Sequence, residues 1–184
     1  MAVDSVAAGL SVNTLSGAAV EQRFRELLQE HGAALARLAA SYTRTVSDRD
    51  DLLQEIAIAL WRALPRFRGE CSERTFLFRI AHNRCLAHIS RRRPGLAVDL
   101  DEEQIDPADP RPSAEAQLSR DQQSERLVQA VRRLPIIYRQ VITLTLEGLS
   151  YKDIAHVLGI SESNVGVRLN RARQILRQSL EGES

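Results

Sequence analysis

Four residues in the front half of the chain, Cys71, His82, Cys85 and His88, are of types that hold metals or shuttle electrons. Residues 82, 85 and 88 recur at intervals of three, which on a helix spreads them over about 120° instead of aiming them at one point. A structural zinc needs four converging ligands, and this spacing matches none of the usual finger or ribbon patterns. Cys85 also falls on an apolar stripe, so the expectation is a buried thiol, surface histidines, no metal and no cofactor. No phosphate-cradling Gly-rich loop, Ser/His/Asp set or carboxylate pair in an apolar setting occurs. No catalytic residue is assigned, and the chain reads as a protein that is not an enzyme.

The chemistry that remains is recognition of a polyanion. The formal net charge is only +1, but it is strongly segregated. Between Arg62 and Arg93 stand nine arginines and two acids; between Ala97 and Ala116, seven acids and one arginine; between Ser161 and Leu180, four arginines and one glutamate. Two basic blocks with an acidic stretch between them can grip a polyanion at two places and keep the middle away from it. Ordinary solvated faces are the alternative for any single block.

The last block has the most specific pattern. Gly148-Leu149-Ser150 ends one helix and offers Ser150 as N-cap of the next, whose inward face is Ile154, Ala155 and Leu158. Gly159 supplies a turn, Ile160 plugs it, and Ser161 caps a final helix. Helix, short glycine-containing turn, helix is the arrangement of DNA readers. Val165, Leu169, Ala172 and Leu176 form the buried stripe of the final helix. Its opposite face carries Ser163, Gly166, Val167, Asn170, Arg171, Gln174 and Arg177. Asn and Arg suit bidentate contacts to adenine and guanine, and a valine methyl can lie against thymine. Arg173 and Arg177 suit phosphates. A C-terminal helix hairpin with a solvated basic face is the alternative.

The elements that must position these groups are helices. At 184 residues, 43% hydrophobic and only 4% aromatic, the chain can bury one ordinary core or two small ones, and its apolar residues recur at three and four. The fold class expected is all-α: two small helical domains joined by an acidic flexible linker. Residues 1–18 form a loose tail, 19–93 a front domain, 94–113 the linker and 114–184 a second domain. In the front domain a first helix starts near Val20, with a break at His31-Gly32. A second has Ser47 as N-cap, acids at Asp48, Asp50 and Asp51, and a stripe of Leu53, Ile56, Leu60 and Leu64 closed by Pro65. A third runs from about Ser72 to Arg92. The prolines Pro107, Pro110 and Pro112 mark the linker. No apolar run approaches the ~20 residues of a membrane span. The N-terminus lacks the basic region of a signal peptide, so no membrane insertion and a cytoplasmic location are expected.

In the front half, Asp50-Asp51-Leu52-Leu53-Gln54-Glu55, Leu60-Trp61-Arg62-Ala63-Leu64-Pro65-Arg66-Phe67-Arg68-Gly69 and Arg74-Thr75-Phe76-Leu77-Phe78-Arg79-Ile80-Ala81-His82-Asn83 resemble region 2 of bacterial sigma factors. The back half resembles region 4 at Leu134-Pro135, Ser150-Tyr151-Lys152-Asp153-Ile154-Ala155 and Arg168-Leu169-Asn170-Arg171-Ala172-Arg173. With no other sigma domain between or before them, the chain is similar to the short extracytoplasmic-function (ECF) type over roughly Val20 to Leu180.

The resemblance implies a subunit that binds core RNA polymerase and directs promoter-specific initiation. It implies polymerase contacts at Asp51, Gln54 and Glu55. It implies recognition and melting of the −10 element, with capture of a flipped base of the single strand, by Arg66, Phe67, Arg68, Arg74, Phe76, Arg79, Asn83, Arg91 and Arg92. Positive charge along the strand and an aromatic face for the base are what such capture needs, although core packing is the alternative for Phe67 and Phe76. Duplex −35 readout falls to Ser163, Gly166, Val167, Arg168, Asn170, Arg171, Arg173 and Arg177. An anti-sigma partner is a further implication.

Several positions depart from the family pattern. Many members have Trp in place of Phe76, Tyr in place of Phe78, and a basic residue and a serine in place of Gly166 and Val167. At the last two, readout should shift toward shape, methyl contact and the remaining Asn170 and Arg171. The rival within DNA binding is a stand-alone helix-turn-helix regulator, which would act as a dimer on a palindrome without polymerase.

Overall fold

The computed structural model describes residues 17–92 and 119–181. As the apolar periodicity predicts, the fold is all-α: among the described residues there are helices and turns and no strand. Of the tail expected over residues 1–18, residues 17 and 18 belong to the first helix, and the rest, with the acidic stretch assigned as a linker, lies outside the described residues.

Three helices make the front bundle: α1 (Gly17–Ala40), α2 (Val46–Ala63) and α3 (Glu73–Arg92), each packed on the other two. Helix α1 buries Val20, Leu27, Leu35 and Leu38. It runs unbroken through His31-Gly32, contrary to the expected break. Gly32 has open space around its Cα, and the leucines on either side hold the helix to the bundle at more than the roughly 1 kcal/mol a mid-helix glycine costs.

Helix α2 is capped by Thr45 rather than Ser47. Thr45 is extended, at φ −117° and ψ 160°, and its hydroxyl accepts from the Asp48 amide at 3.1 Å. The buried stripe is Leu52, Ile56, Leu60 and Leu64, all four residues apart, while Leu53 is only half-buried. Pro65 sits in a 3-10 turn over Leu64–Arg66 and ends the helix.

The back bundle comprises α4 (Ser119–Arg133), α5 (Ile136–Leu146), α6 (Tyr151–Leu158) and α7 (Glu162–Glu181), with α5 and α6 against α7 and α4 closing the side. The buried guanidinium of Arg139 donates to the carbonyl of Leu134 at 2.9 Å and to that of Arg132. These are carbonyls that the end of α4 leaves without helical partners. Gly148 and Gly159 end α5 and α6 in the left-handed region, at φ +77° and +68°. In each turn an amide reaches back five residues, Leu149 to Leu144 and Ile160 to Ala155, the pattern that favours glycine. The two bundles meet along α3 and α6.

Candidate nucleic-acid interface

Local capping fixes the reading helix. Ser150 accepts from the Asp153 amide at 3.1 Å, and Ser161 does the same for Asn164 at 3.2 Å. Ile154 and Ala155 are buried, but Val157 takes the inward place assigned to Leu158, which is half-buried. Val165, Leu169, Ala172 and Leu176 are all buried. That leaves Ser163, Asn170, Arg171, Gln174 and Arg177 exposed along α7, with Arg173 exposed beside them, Arg168 half-buried and Val167 69% exposed. Arg171 donates to Gln174 at 3.2 Å, an exposed contact that a stronger partner displaces easily.

Gly166 is half-buried, and a Cβ added there would stand 3.6 Å from Cε2 of Tyr151, in ordinary contact. Gly166→Ala is therefore expected to raise the stability of this bundle by about 0.5–1 kcal/mol through helix propensity. If the glycine serves close approach to DNA, the same change weakens promoter binding. Thermal melting and promoter titration of the variant check the two halves separately, and unchanged affinity counts against close approach.

The second basic site lies where the turn Leu64–Arg66 leads into α3. Phe67 and Phe76 pack with ring centroids 4.6 Å apart, and the Arg79 guanidinium lies 5.9 Å from the Phe76 ring centre. Phe76 is 8% exposed, so it belongs to the core and also floors a pocket of ≈ 50 Å³ lined by Arg66, Phe67, Arg68, Glu70, Cys71 and Arg79. Of the two readings of this ring, core packing is the one its burial shows. Arg74 lies over Phe78, 5.8 Å from its ring centre, and Asn83 is exposed further along α3.

At the far end of α3, Arg91 and Arg92 are already paired. Arg91 donates to both oxygens of Glu55, at 2.7 and 2.6 Å, and Arg92 to Asp48, at 2.7 Å to Oδ2. Arg92 holds the Asp48 carboxyl below its ordinary value. Asp51 and Gln54 are exposed on α2, but Leu52 between them is fully buried.

The histidines also differ from expectation. His82 is 3% exposed and His88 is buried too, because α3 is covered on more than one side. Among the described residues, no group of three or more His, Cys, Asp or Glu could hold a metal ion. Burial pulls His82 down to about 4 and pushes the buried Cys85 thiol up. An unfolded histidine titrates near 6.5. Stability from the neutral ring is therefore full above that pH and is lost as pH falls toward 4, with a slope of at most about 1.4 kcal/mol per pH unit. Urea melts between pH 7 and 4.5 should be less pH-dependent in His82→Gln by about one proton; equal slopes would refute the assignment.

Fold and site together define a helical DNA-binding protein in which a helix-turn-helix is joined to a second basic bundle. The family model for Sigma-70 region 2 matches residues 27–94 and that for Sigma-70 region 4 matches residues 124–176. The sigma factor NccH of Alcaligenes xylosoxydans xylosoxydans is 35% identical over 161 residues, 86% of this chain and 87% of that protein. The ECF sigma factor SigM of Mycobacterium tuberculosis is 31% identical, over 85% of this chain and 76% of its own. Among solved structures, CnrH in complex with the cytosolic domain of CnrY has a TM-score of 0.67 at 29% identity and covers 89% of this chain and 91% of that one. RpoE of Bartonella quintana with the anti-sigma factor NepR has a TM-score of 0.65 at 21% identity, covering 87% and 98%, and supports the fold. The chain belongs to the sigma-70 family of RNA polymerase sigma factors and to its ECF type.

Proposed function

We propose that the chain acts as the promoter-specificity subunit of RNA polymerase, with the labour divided between the bundles. Helix α7 enters the major groove of the −35 element, where Asn170 and Arg171 read base edges, Val167 offers a methyl contact, and Ser163, Arg168, Arg173 and Arg177 hold the backbone. Gly166 lets the helix come close. The front bundle binds the −10 element as a single strand. Arg66, Arg68, Arg74 and Arg79 follow phosphates, the pocket over Phe67 and Phe76 takes an extruded base, and Asn83, Arg91 and Arg92 extend the track along α3. Asp51, Gln54 and Glu55 dock on core polymerase. The observation that carries this reading is the arginine-rimmed aromatic pocket on the same chain as the capped helix-turn-helix, since capture of an extruded base needs positive charge and a ring face together.

The protein works without a catalytic centre of its own and in the cytoplasm, where the polymerase is. No helix among the described residues is long and apolar enough to cross a membrane. Because a solved neighbour is a complex with an anti-sigma factor, a protein inhibitor of that kind is a natural partner here. Mixing the purified chain with core polymerase and assaying run-off transcription from genomic fragments tests the proposal. Promoter-specific transcripts that need both components are expected. Sequence-specific binding as a dimer to a palindrome without polymerase would favour a stand-alone regulator.

A further inference from the structure

Tyr151 is the first residue of α6, directly after the capping Ser150. Its ring reaches α7 at Gly166, where a Cβ added to the glycine would stand 3.6 Å from Cε2. Any side chain at 166 would therefore lie against the ring, and glycine leaves that edge bare. Between residues 150 and 179 the exposed large hydrophobic side chains are Tyr151, at 42%, and Val167, at 69%. One faces Gly166 from α6 and the other follows it in the chain. The exposed side chains around them on α7 are polar: Ser163, Asn170, Arg171 and Gln174. An apolar spot thus sits among hydrogen-bonding groups on the helix assigned to base reading. A single exposed aromatic is ordinary on a protein surface, but this one stands beside a mid-helix glycine, a residue that disfavours the helix it sits in.

We infer that Tyr151 is a specificity-determining residue of the −35 contact, and that its ring edge, bared by Gly166, takes the 5-methyl group of a thymine. The role depends on the groove placement of α7 given above. In the major groove thymine alone presents a methyl group, so an apolar spot tells it from the other bases without a hydrogen bond. Covering one such carbon from water contributes about fourfold in affinity. Close approach of α7 then has a target: the methyl can reach the depth that a side chain at 166 would occupy.

The test removes the methyl from the DNA. Holoenzyme, assembled from the full chain and core polymerase, selects its preferred −35 element from duplexes randomised over that stretch. Each thymine of the selected element is then replaced in turn by deoxyuridine, which deletes the methyl and nothing else. At one position the parent and Tyr151→Phe should lose about three- to fivefold in affinity. Tyr151→Ser should bind the thymine and deoxyuridine duplexes alike there. So should Gly166→Lys, which keeps the tyrosine and lays a side chain against its ring.

Full methyl dependence in Tyr151→Ser or Gly166→Lys gives the methyl to another group, such as Val167, and overturns the assignment. Equal weakening of both duplexes in Tyr151→Phe overturns it too, since the hydroxyl and not the ring would then be the contact. If Tyr151→Ser melts far below the parent, Gly166→Lys decides. A selected element with no methyl-dependent thymine overturns the role of Tyr151 and leaves base reading by α7 standing. Failure to select any element brings down both.

Discussion

Replacing Asn170 and Arg171 together by alanine is expected to remove about 2–6 kcal/mol of discrimination between a cognate −35 element and a scrambled one, since a good bidentate contact to a base edge contributes about 1–3 kcal/mol. Both side chains stand exposed on α7, and the stripe of Val165, Leu169, Ala172 and Leu176 that aims them is untouched. The double variant should therefore melt like the parent and keep its polymerase binding. Arg173→Ala makes the comparison sharp. As a phosphate contact it should weaken binding on both templates alike and reduce the slope of log affinity against log salt by about 0.9. Holoenzyme titrations on paired promoter fragments at several salt concentrations measure all of this. Equal losses on cognate and scrambled templates in the double variant would assign the pair to the backbone.

Leu52→Ala is expected to cost about 2–5 kcal/mol of folding stability, the range for a fully buried leucine whose cavity fills only in part. Asp51→Ala, one residue earlier and exposed, should change stability by less than about 0.5 kcal/mol and weaken binding to core polymerase. The two substitutions separate the faces of α2, which the sequence pattern alone mixes. Urea unfolding of each variant and capture of each by immobilised core polymerase decide the matter. Parental stability in Leu52→Ala would put that side chain outside the core.

What could be read before the structure was largely local. Ser150, Gly159 and Ser161 announced the helix-turn-helix because a cap or a left-handed turn is decided within four residues. The misread positions are those decided by a neighbour far along the chain. Leu52 and Leu53 both fit a helical stripe with Ile56 and Leu60, and only the placement of α1 and α3 chooses between them. Thr45 and Ser47 are both competent caps; the choice fell to Thr45, which is extended. His82 and His88 looked solvated because an amphipathic reading allows one buried face, whereas α3 contacts both α1–α2 and α6. The hydrogen bonds between the bundles were invisible for the same reason: Arg37, which donates to Glu147, is 110 residues from it, and Thr75, which donates to Asp153, is 78 residues from it. No periodicity relates such pairs.

Cys85, fully buried with its thiol pushed up in pKa, gives the front bundle an internal clock. The thiolate is the form that attacks an alkylating reagent, and this sulfur meets the reagent only when the bundle opens. When reclosing is fast, the alkylation rate at Cys85 is the opening equilibrium multiplied by the rate for a free thiol. Half-buried Cys71 reacts on its own schedule, so mass spectrometry of the two peptides follows opening at both sites in one untagged sample. Stability could then be timed within an assembled transcription complex, where denaturant titrations would first dismantle the assembly.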